Sequence, residues 1–338
     1  MIRVALLSFW HFHAESFVSD ALKSSTVELV AAWDEDPERG AKRAAEAGIE
    51  FVPQLEELLA RPDIDGVIVQ TPTSMHVDII DKCAKAGKHV LTDKVLAPTW
   101  SEAKTLVDTF DAAGLVLVTS LVLLDHDYVQ QMKAIVASGE LGRIVNLRIL
   151  AGHGLTLLNM MPEGFFTRSE AVGGVLMDIC HPLYITTYLL GEPETVYARF
   201  AHVTNRELED SASVLMDFAD GAHVSVDVSF VMKGAPSMQI EVIGTEGSVF
   251  YRGGAEPASK GPSTGTVFEK RMDYPNRITN LVLGECPGPT VGAWAEHVAT
   301  GTRADSNIGY SLGLSLITEA AYQSATTRLP VSVSTLRD

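Results

Sequence analysis

Up to about residue 120, short apolar runs rich in β-branched residues alternate with amphipathic stretches, the rhythm of strands and crossover helices in a parallel sheet. The candidate strands are RVALL (3–7), VELVAAW (27–33), DGVIVQ (65–70), KHVLT (88–92) and LVLVTS (115–120). Between them, DPERGAKRAAEAG (36–48) places Asp36 as a helix N-cap, Pro37 at the first helical position and Gly48 as the stop. A helix is predicted around 125–138, closed by Gly139-Glu140-Leu141-Gly142. From about residue 143 the period shortens to two, and strands follow one another: 143–150, 195–203, 211–218, 222–230, 239–244 and 248–252. Turns such as Asp220-Gly221 join them, so a mainly antiparallel sheet is predicted, with a Gly/Pro/Ser/Thr-rich loop at 253–266 and helices at 291–300 and 308–327. The fold class expected is an α/β Rossmann-type doubly wound parallel sheet over residues 1–122, followed over 123–338 by an α+β domain with a large, open, mainly antiparallel sheet. The C-terminal segment is a candidate to pack back on the first domain.

A chain of 338 residues accommodates two domains of ordinary size. Its 26 basic against 43 acidic residues give −17, a field that repels phosphate backbones and anionic membranes. Neither a nucleic-acid nor a membrane partner is therefore expected. Cys83, Cys180 and Cys286 are odd in number and widely spaced, which fits a reducing cytoplasm and no disulfide framework. The apolar run in MIRVALLSFW is too short for a signal segment, and the expected location is cytoplasmic.

Ligands of open α/β sheets collect at the carboxyl ends of the strands. The turn after the first strand reads Ser8-Phe9-Trp10-His11-Phe12-His13-Ala14, without the glycines that let a pyrophosphate approach the backbone. Ser8 and the amides near Ala14 can still hydrogen-bond phosphate if Trp10 points away, and a domain that binds no nucleotide stays open as a reading. Asp34, ending the second strand, stands where an acidic side chain accepts hydrogen bonds from an adenosine ribose, a choice that favours NAD over NADP. The alternative is a solvated acidic turn shared with Glu35 and Asp36. Two more strand ends carry Gln70-Thr71-Pro72-Thr73-Ser74-Met75-His76 and Thr92-Asp93-Lys94-Val95-Leu96-Ala97-Pro98. Partial burial of Lys94 there would depress its pKa and suit it to a reacting hydroxyl. In Gly173-Gly174-Val175-Leu176-Met177-Asp178-Ile179-Cys180-His181-Pro182-Leu183-Tyr184, Asp178 and His181 are i, i+3 neighbours, a carboxylate able to orient an imidazole. Pro182 makes a helix start or kink beside His181. His153 and Tyr184 are candidate substrate contacts. The histidines show neither the i, i+4 pairing with a glutamate nor the cysteine spacing of a metal site, so no metal is expected.

Taken in order, these segments resemble the glucose–fructose oxidoreductase / inositol dehydrogenase (Gfo/Idh/MocA) family. DEDPERG, Thr71-Pro72-Thr73 with His76, GKHVLTDKVLAP, SGELGRI (138–144), GGVLMDICHPLYITTYLLGEP, Glu209-Asp210, IGTEGSV (243–249) and EAAYQSATTRLPVSV (319–333) carry the resemblance over nearly the whole chain. It implies an NAD- or NADP-dependent dehydrogenase or reductase acting on a secondary alcohol of a sugar, polyol or glycoside-like molecule, assembled as a homodimer or homotetramer. The family's Glu-Lys-Pro lysine, which contacts substrate hydroxyl and nicotinamide, maps onto Lys94 of Asp93-Lys94-Val95. Its aspartate and acid/base histidine map onto Asp178 and His181, one residue closer together than usual. The cofactor contacts implied are Ser8, Trp10, His11, His13, Asp34, Thr71, Pro72, Thr73, His76, Asp93 and Lys94. Substrate contacts are His153, Tyr184, Lys94 and His181. Two other functions remain open at this level: redox-neutral cleavage of a glycoside through transient oxidation, and a non-catalytic sensor on the same fold.

Overall fold

The computed structural model describes residues 1–233, 238–253, 266–272, 277–284 and 291–337. They form two compact units: residues 1–122 with 291–312, and residues 123–284 with 313–337.

The first unit is built on β1 (Ile2–Leu7), α1 (Ala14–Lys23), β2 (Val27–Trp33), α2 (Pro37–Ala47), β3 (Glu50–Phe51), α3 (Leu55–Leu59), β4 (Gly66–Val69), α4 (His76–Lys85), β5 (His89–Thr92), α5 (Trp100–Ala113) and β6 (Leu117–Thr119). The six strands are all parallel, in the order β3-β2-β1-β4-β5-β6. This is the doubly wound Rossmann order, with its switch point between β1 and β4. Alternation along β1 sends Val4 and Leu6 to one face, with Phe17 of α1 and the buried Trp294, and Ala5 and Leu7 to the other, with Ile79 and Ile80 of α4 and Phe110 of α5. As the sequence predicts, the Asp36 side chain caps α2 by accepting from the N–H groups of Glu38 and Arg39, Pro37 is its first residue, and Gly48 closes it in the left-handed conformation.

The second unit begins with α6 (Asp127–Ala137) and β7 (Ile144–Gly152), followed by the short helices α7 (Arg168–Ala171) and α8 (Val175–Asp178) and by α9 (His181–Leu190). The strands β8 (Thr195–Ala201), β9 (Ser211–Asp217), β10 (His223–Ser229), β11 (Met238–Gly244), β12 (Gly247–Gly253), β13 (Val267–Met272) and β14 (Arg277–Asn280) come next. Helix α10 (Val291–Thr300) belongs to the first unit, α11 (Asp305–Thr327) contributes its start to the first and its remainder to the second, and β15 (Val331–Ser332) closes the chain. The nine-stranded sheet runs β14-β13-β12-β11-β7-β10-β9-β8-β15. It is antiparallel except for the β7/β10 pair, the mainly antiparallel sheet that the sequence predicts. The parallel pair arises because the crossover through α7, α8 and α9 leads to β8, and the antiparallel run β8-β9-β10 then brings β10 alongside β7 in the same direction. β3, β13, β14 and β15 were not predicted, and the loop expected at 253–266 lies almost wholly outside the described residues, as does Cys286. Among the described residues no helix is long and apolar enough to cross a membrane.

Candidate active site

The turn after β1 sets the first feature of the site. Ser8 has φ +79°, in the left-handed region that normally asks for glycine, and its Oγ accepts the Trp10 N–H at 3.0 Å. The chain thus makes a tight turn without the glycine fingerprint, holding it with a side-chain bond instead. The His11 N–H reaches the Gln70 carbonyl at the end of β4 (3.3 Å), and His13 is the N-cap residue of α1. Trp10 is half-buried.

Asp34 is buried and fully occupied. Its Oδ2 accepts from Phe9 N–H (2.8 Å) and Arg39 Nε (3.1 Å), and its Oδ1 from Asp36 N–H (2.8 Å) and Arg39 Nη2 (2.7 Å). Four donors fill the roughly four acceptor positions of a carboxylate, and they tie the β1 turn to α2. Glu35 beside it meets Arg39 with its Oε1, while its Oε2 is buried with no hydrogen-bond partner. Burial pushes the Glu35 carboxyl up, against the pull of the Ser8 hydroxyl.

At the end of β4, the side-chain amide of Gln70 and the Thr71 hydroxyl are buried without partners, an uncommon state for polar atoms inside a folded chain. Thr73 and Pro72 follow in the same buried turn. His76 is wholly buried, with Nδ1 2.7 Å from the Val95 carbonyl and Nε2 3.2 Å from the Thr71 carbonyl. It packs between two ligand-edge turns, and its one N–H donates to one of these carbonyls. Burial pushes its pKa down, since a neutral imidazole is the form that tolerates such a site.

Asp93 and Lys94 close β5, with 2 % and 4 % exposure. Burial alone would raise the Asp93 carboxyl, but the imidazoles of His13 and His11 and the Lys94 ammonium outweigh it and hold the group well below its ordinary range. Asp93 Oδ2 stands 2.8 Å from His13 Nδ1 and 3.3 Å from His11 Nδ1, and its Oδ1 accepts the Lys94 N–H at 2.8 Å.

In the second unit the Gly173-Gly174 turn leads into α8, which carries Asp178, and α9 begins at His181 with Pro182 in its first turn, where a missing N–H costs nothing. Both Asp178 and His181 are half-buried. His181 Nδ1 lies 2.9 Å from the hydroxyl of Tyr184, which also takes the Leu123 N–H at 3.3 Å. Tyr184 is fully buried and supports the imidazole through this contact. Beneath the glycines sits a clamp that sequence reasoning did not see. Glu209 Oε1 accepts from Gly174 N–H (3.0 Å), Leu176 N–H (3.3 Å) and the Tyr322 hydroxyl (2.5 Å). A Cβ on Gly174 would stand 2.0 Å from the Glu209 carbonyl oxygen, which is why that position is glycine. His153 stacks on Phe230 with ring centres 5.2 Å apart, at the end of β7.

A six-stranded parallel sheet in the Rossmann order, with buried polar side chains at its carboxyl edge, followed by a mixed sheet, is the fold of a nicotinamide-dependent oxidoreductase. Residues 9–120 match the oxidoreductase family model described as an NAD-binding Rossmann fold, and residues 129–250 match the Gfo/Idh/MocA C-terminal domain. The chain belongs to the Gfo/Idh/MocA family of NAD(P)-dependent oxidoreductases, whose relatives are named for sugars and polyols. It is 31 % identical over 244 residues to a 1,5-anhydro-D-fructose reductase of Ensifer adhaerens, covering 71 % of this chain and 72 % of that one. To a scyllo-inositol 2-dehydrogenase (NAD+) of Bacillus subtilis it is 28 % identical over 248 residues, 71 % and 70 % of the two chains. Among solved structures, a 3-ketoreductase from Actinomadura kijaniata in complex with NADP and TDP-benzene superposes with TM-score 0.84 at 21 % identity, over 96 % and 97 % of the chains. An oxidoreductase from Agrobacterium radiobacter in complex with NAD+, L-tartaric acid and magnesium gives TM-score 0.82 at 22 % identity, over 99 % of both. At these identities the structural likeness is one of fold.

Proposed function

We propose that the protein catalyses reversible hydride transfer between a secondary alcohol of a sugar, polyol or glycoside-like substrate and a nicotinamide dinucleotide, with residues 1–122 binding the dinucleotide and residues 123–338 the substrate and a second subunit of a homodimer or homotetramer. The observation that carries the reading is the buried lysine closing β5, in a family whose members are dehydrogenases and reductases. The unpartnered Gln70 and Thr71 side chains and the glycine-like turn at Ser8 fit a polar ligand at the same strand ends. When bound, the dinucleotide supplies the hydride acceptor or donor.

His181 accepts the hydroxyl proton in the oxidative direction and returns it in the reductive one. Its Nδ1 is steadied by Tyr184, which fixes the direction in which the ring presents its other nitrogen. Lys94 polarises the substrate oxygen and stabilises alkoxide character as it develops, an effect strengthened in a buried setting. Asp178, three residues before His181, supports the imidazolium. Lys94→Ala and His181→Ala are each expected to lower turnover by about 10²–10⁴-fold, the range of acid–base groups. The assay follows reduced-nicotinamide absorbance with a panel of inositols, aldoses and 1,5-anhydro sugars. Turnover left near the wild-type level by both substitutions removes this mechanism; no absorbance change with any member of the panel removes the substrate class.

A further inference from the structure

The segment that carries Asp178 and leads to His181 is poorly able to hold its own shape. Helix α8 spans only Val175–Asp178, and a single turn does not repay the cost of nucleating a helix. Its place must be set from outside, and the chain just before β9 supplies the anchor. Glu209, 3 % exposed, acts with both its backbone and its side chain. Its carbonyl takes the Val175 N–H at 2.9 Å, and its Oε1 takes those of Gly174 and Leu176 at 3.0 and 3.3 Å. Three successive amides at the head of α8 thus end on one residue, and they are of the kind that a helix cannot satisfy by itself. From Gly174 the contacts go on directly: its carbonyl accepts the Asp178 N–H at 3.1 Å, and the Ile179 N–H reaches the Val175 carbonyl at 2.7 Å. Two residues on, His181 opens α9.

Tyr322 of α11 fixes Glu209 in turn. Its hydroxyl donates to the same Oε1 at 2.5 Å, and its ring stands edge-on to Phe200 with centres 4.9 Å apart and planes at 73°. A Cβ on Gly173 would come within 2.0 Å of that hydroxyl oxygen, so the glycine pair is fitted to the clamp at both positions, Gly173 against Tyr322 and Gly174 against Glu209. All three partners of Oε1 are donors. What the segment requires at position 209 is an acceptor at one point, and an amide oxygen can take the place of the carboxylate.

We infer that Glu209 and Tyr322 are positioning residues for the acid–base step, holding the 173–181 segment in its working placement through hydrogen-bond acceptance at Glu209 Oε1. Both act through the segment that carries Asp178 and His181, and the inference rests on the assignment of proton transfer to His181. The leverage is large, because a displacement of about 1 Å in a reacting group can cost about 100-fold in rate.

Glu209→Met keeps the approximate size and shape of the side chain and removes the acceptor, whereas Glu209→Gln keeps the acceptor and removes the charge. In the reduced-nicotinamide assay, kcat per folded molecule should fall about 10–100-fold in Glu209→Met with KM for the dinucleotide unchanged, and Glu209→Gln should restore it to near the wild-type value. Tyr322→Phe, which removes one hydrogen bond and keeps the ring, should lower kcat about 3–10-fold. In histidine-labelled protein, the His181 imidazole resonances, assigned through His181→Ala, should move in Glu209→Met and hold in Glu209→Gln. That signature needs neither dinucleotide nor substrate. A folded Glu209→Met with wild-type kcat, or with a raised dinucleotide KM in place of a lowered kcat, overturns the inference. So does an equal loss in Glu209→Gln, which would make the charge the working feature. If Glu209→Met loses its circular-dichroism signature of folding, Tyr322→Phe decides, and wild-type kcat there overturns the clamp. Absence of turnover in the wild type removes the oxidoreductase reading alone, and the His181 resonances then decide the clamp.

Discussion

Asp34 shows how a residue's neighbours decide between two chemistries that its position allows equally. An aspartate closing the second strand of a Rossmann sheet is placed for a ribose, but Arg39 and the amides of Phe9 and Asp36 use all its acceptor capacity. Arg39 lies in the first turn of α2, five residues on, and donates back to Asp34 and Glu35 together. Asp34→Ala therefore strands a half-buried guanidinium and two backbone donors, and should destabilise the protein by about 2–4 kcal/mol, somewhat under the full cost of breaking a buried pair because Arg39 is 30 % exposed. Urea denaturation measures this. Glu35→Gln, in contrast, removes a carboxylate whose one oxygen has no partner, and it should cost less than about 1 kcal/mol in the same titrations. A stability loss confined to the Glu35 variant would show that Glu35, not Asp34, holds this turn.

At the scale of elements, what could be read from the chain is what short-range chemistry fixes. The limits of α2 were legible because Asp36, Pro37 and Gly48 cap and stop a helix by local rules, and Pro182 marked a start or kink where α9 begins. The two-residue strands β3 and β15 were not, because each exists only through the neighbour it pairs with, β2 and β8. The same limit applied to the site. The burial of Lys94 was legible from its place between an apolar strand and an apolar turn, whereas the Glu209–Tyr322 clamp beneath Gly174 joins positions 113 apart and left no trace in spacing. That clamp has a measurable signature. Burial pushes the Glu209 carboxyl above its ordinary value of 4.5, while the Tyr322 hydroxyl and the Gly174 and Leu176 amides pull the other way. A folded-state pKa raised above the unfolded value means that the native state holds more protons between the two, so this contribution is full below pH 4.5 and lost as pH rises through the folded value. Glu209→Gln, neutral throughout yet able to accept the same bonds, should flatten the fall in stability with rising pH above that point. Parallel pH profiles of wild type and variant in urea titrations would show that Glu209 does not contribute to it.

For the whole molecule, two electrostatic terms of opposite sign compete, and the composition tells which one prevails. Exposed ion pairs such as Arg3 with Glu28 and Lys104 with Asp108 each contribute about 0–1 kcal/mol, and salt weakens them. Against them stands an excess of 17 negative charges that remains even when every one of the 26 basic side chains has an acidic partner. Repulsion among the surplus carboxylates acts over distances that pairing does not cancel, and it falls as the screening length contracts to about 8 Å near 0.15 M salt. Folding concentrates that charge in a smaller volume than the unfolded chain occupies, so screening favours the native state. Raising sodium chloride from a few millimolar to about 0.15 M should therefore increase Tm at neutral pH, and the gain should shrink toward pH 5, where the net charge approaches zero at the sequence pI of about 5.0. Differential scanning calorimetry over both variables tests the balance. A Tm that falls with salt at neutral pH would mean that the paired charges outweigh the surplus, and would place the electrostatic stability of this protein in its local pairs.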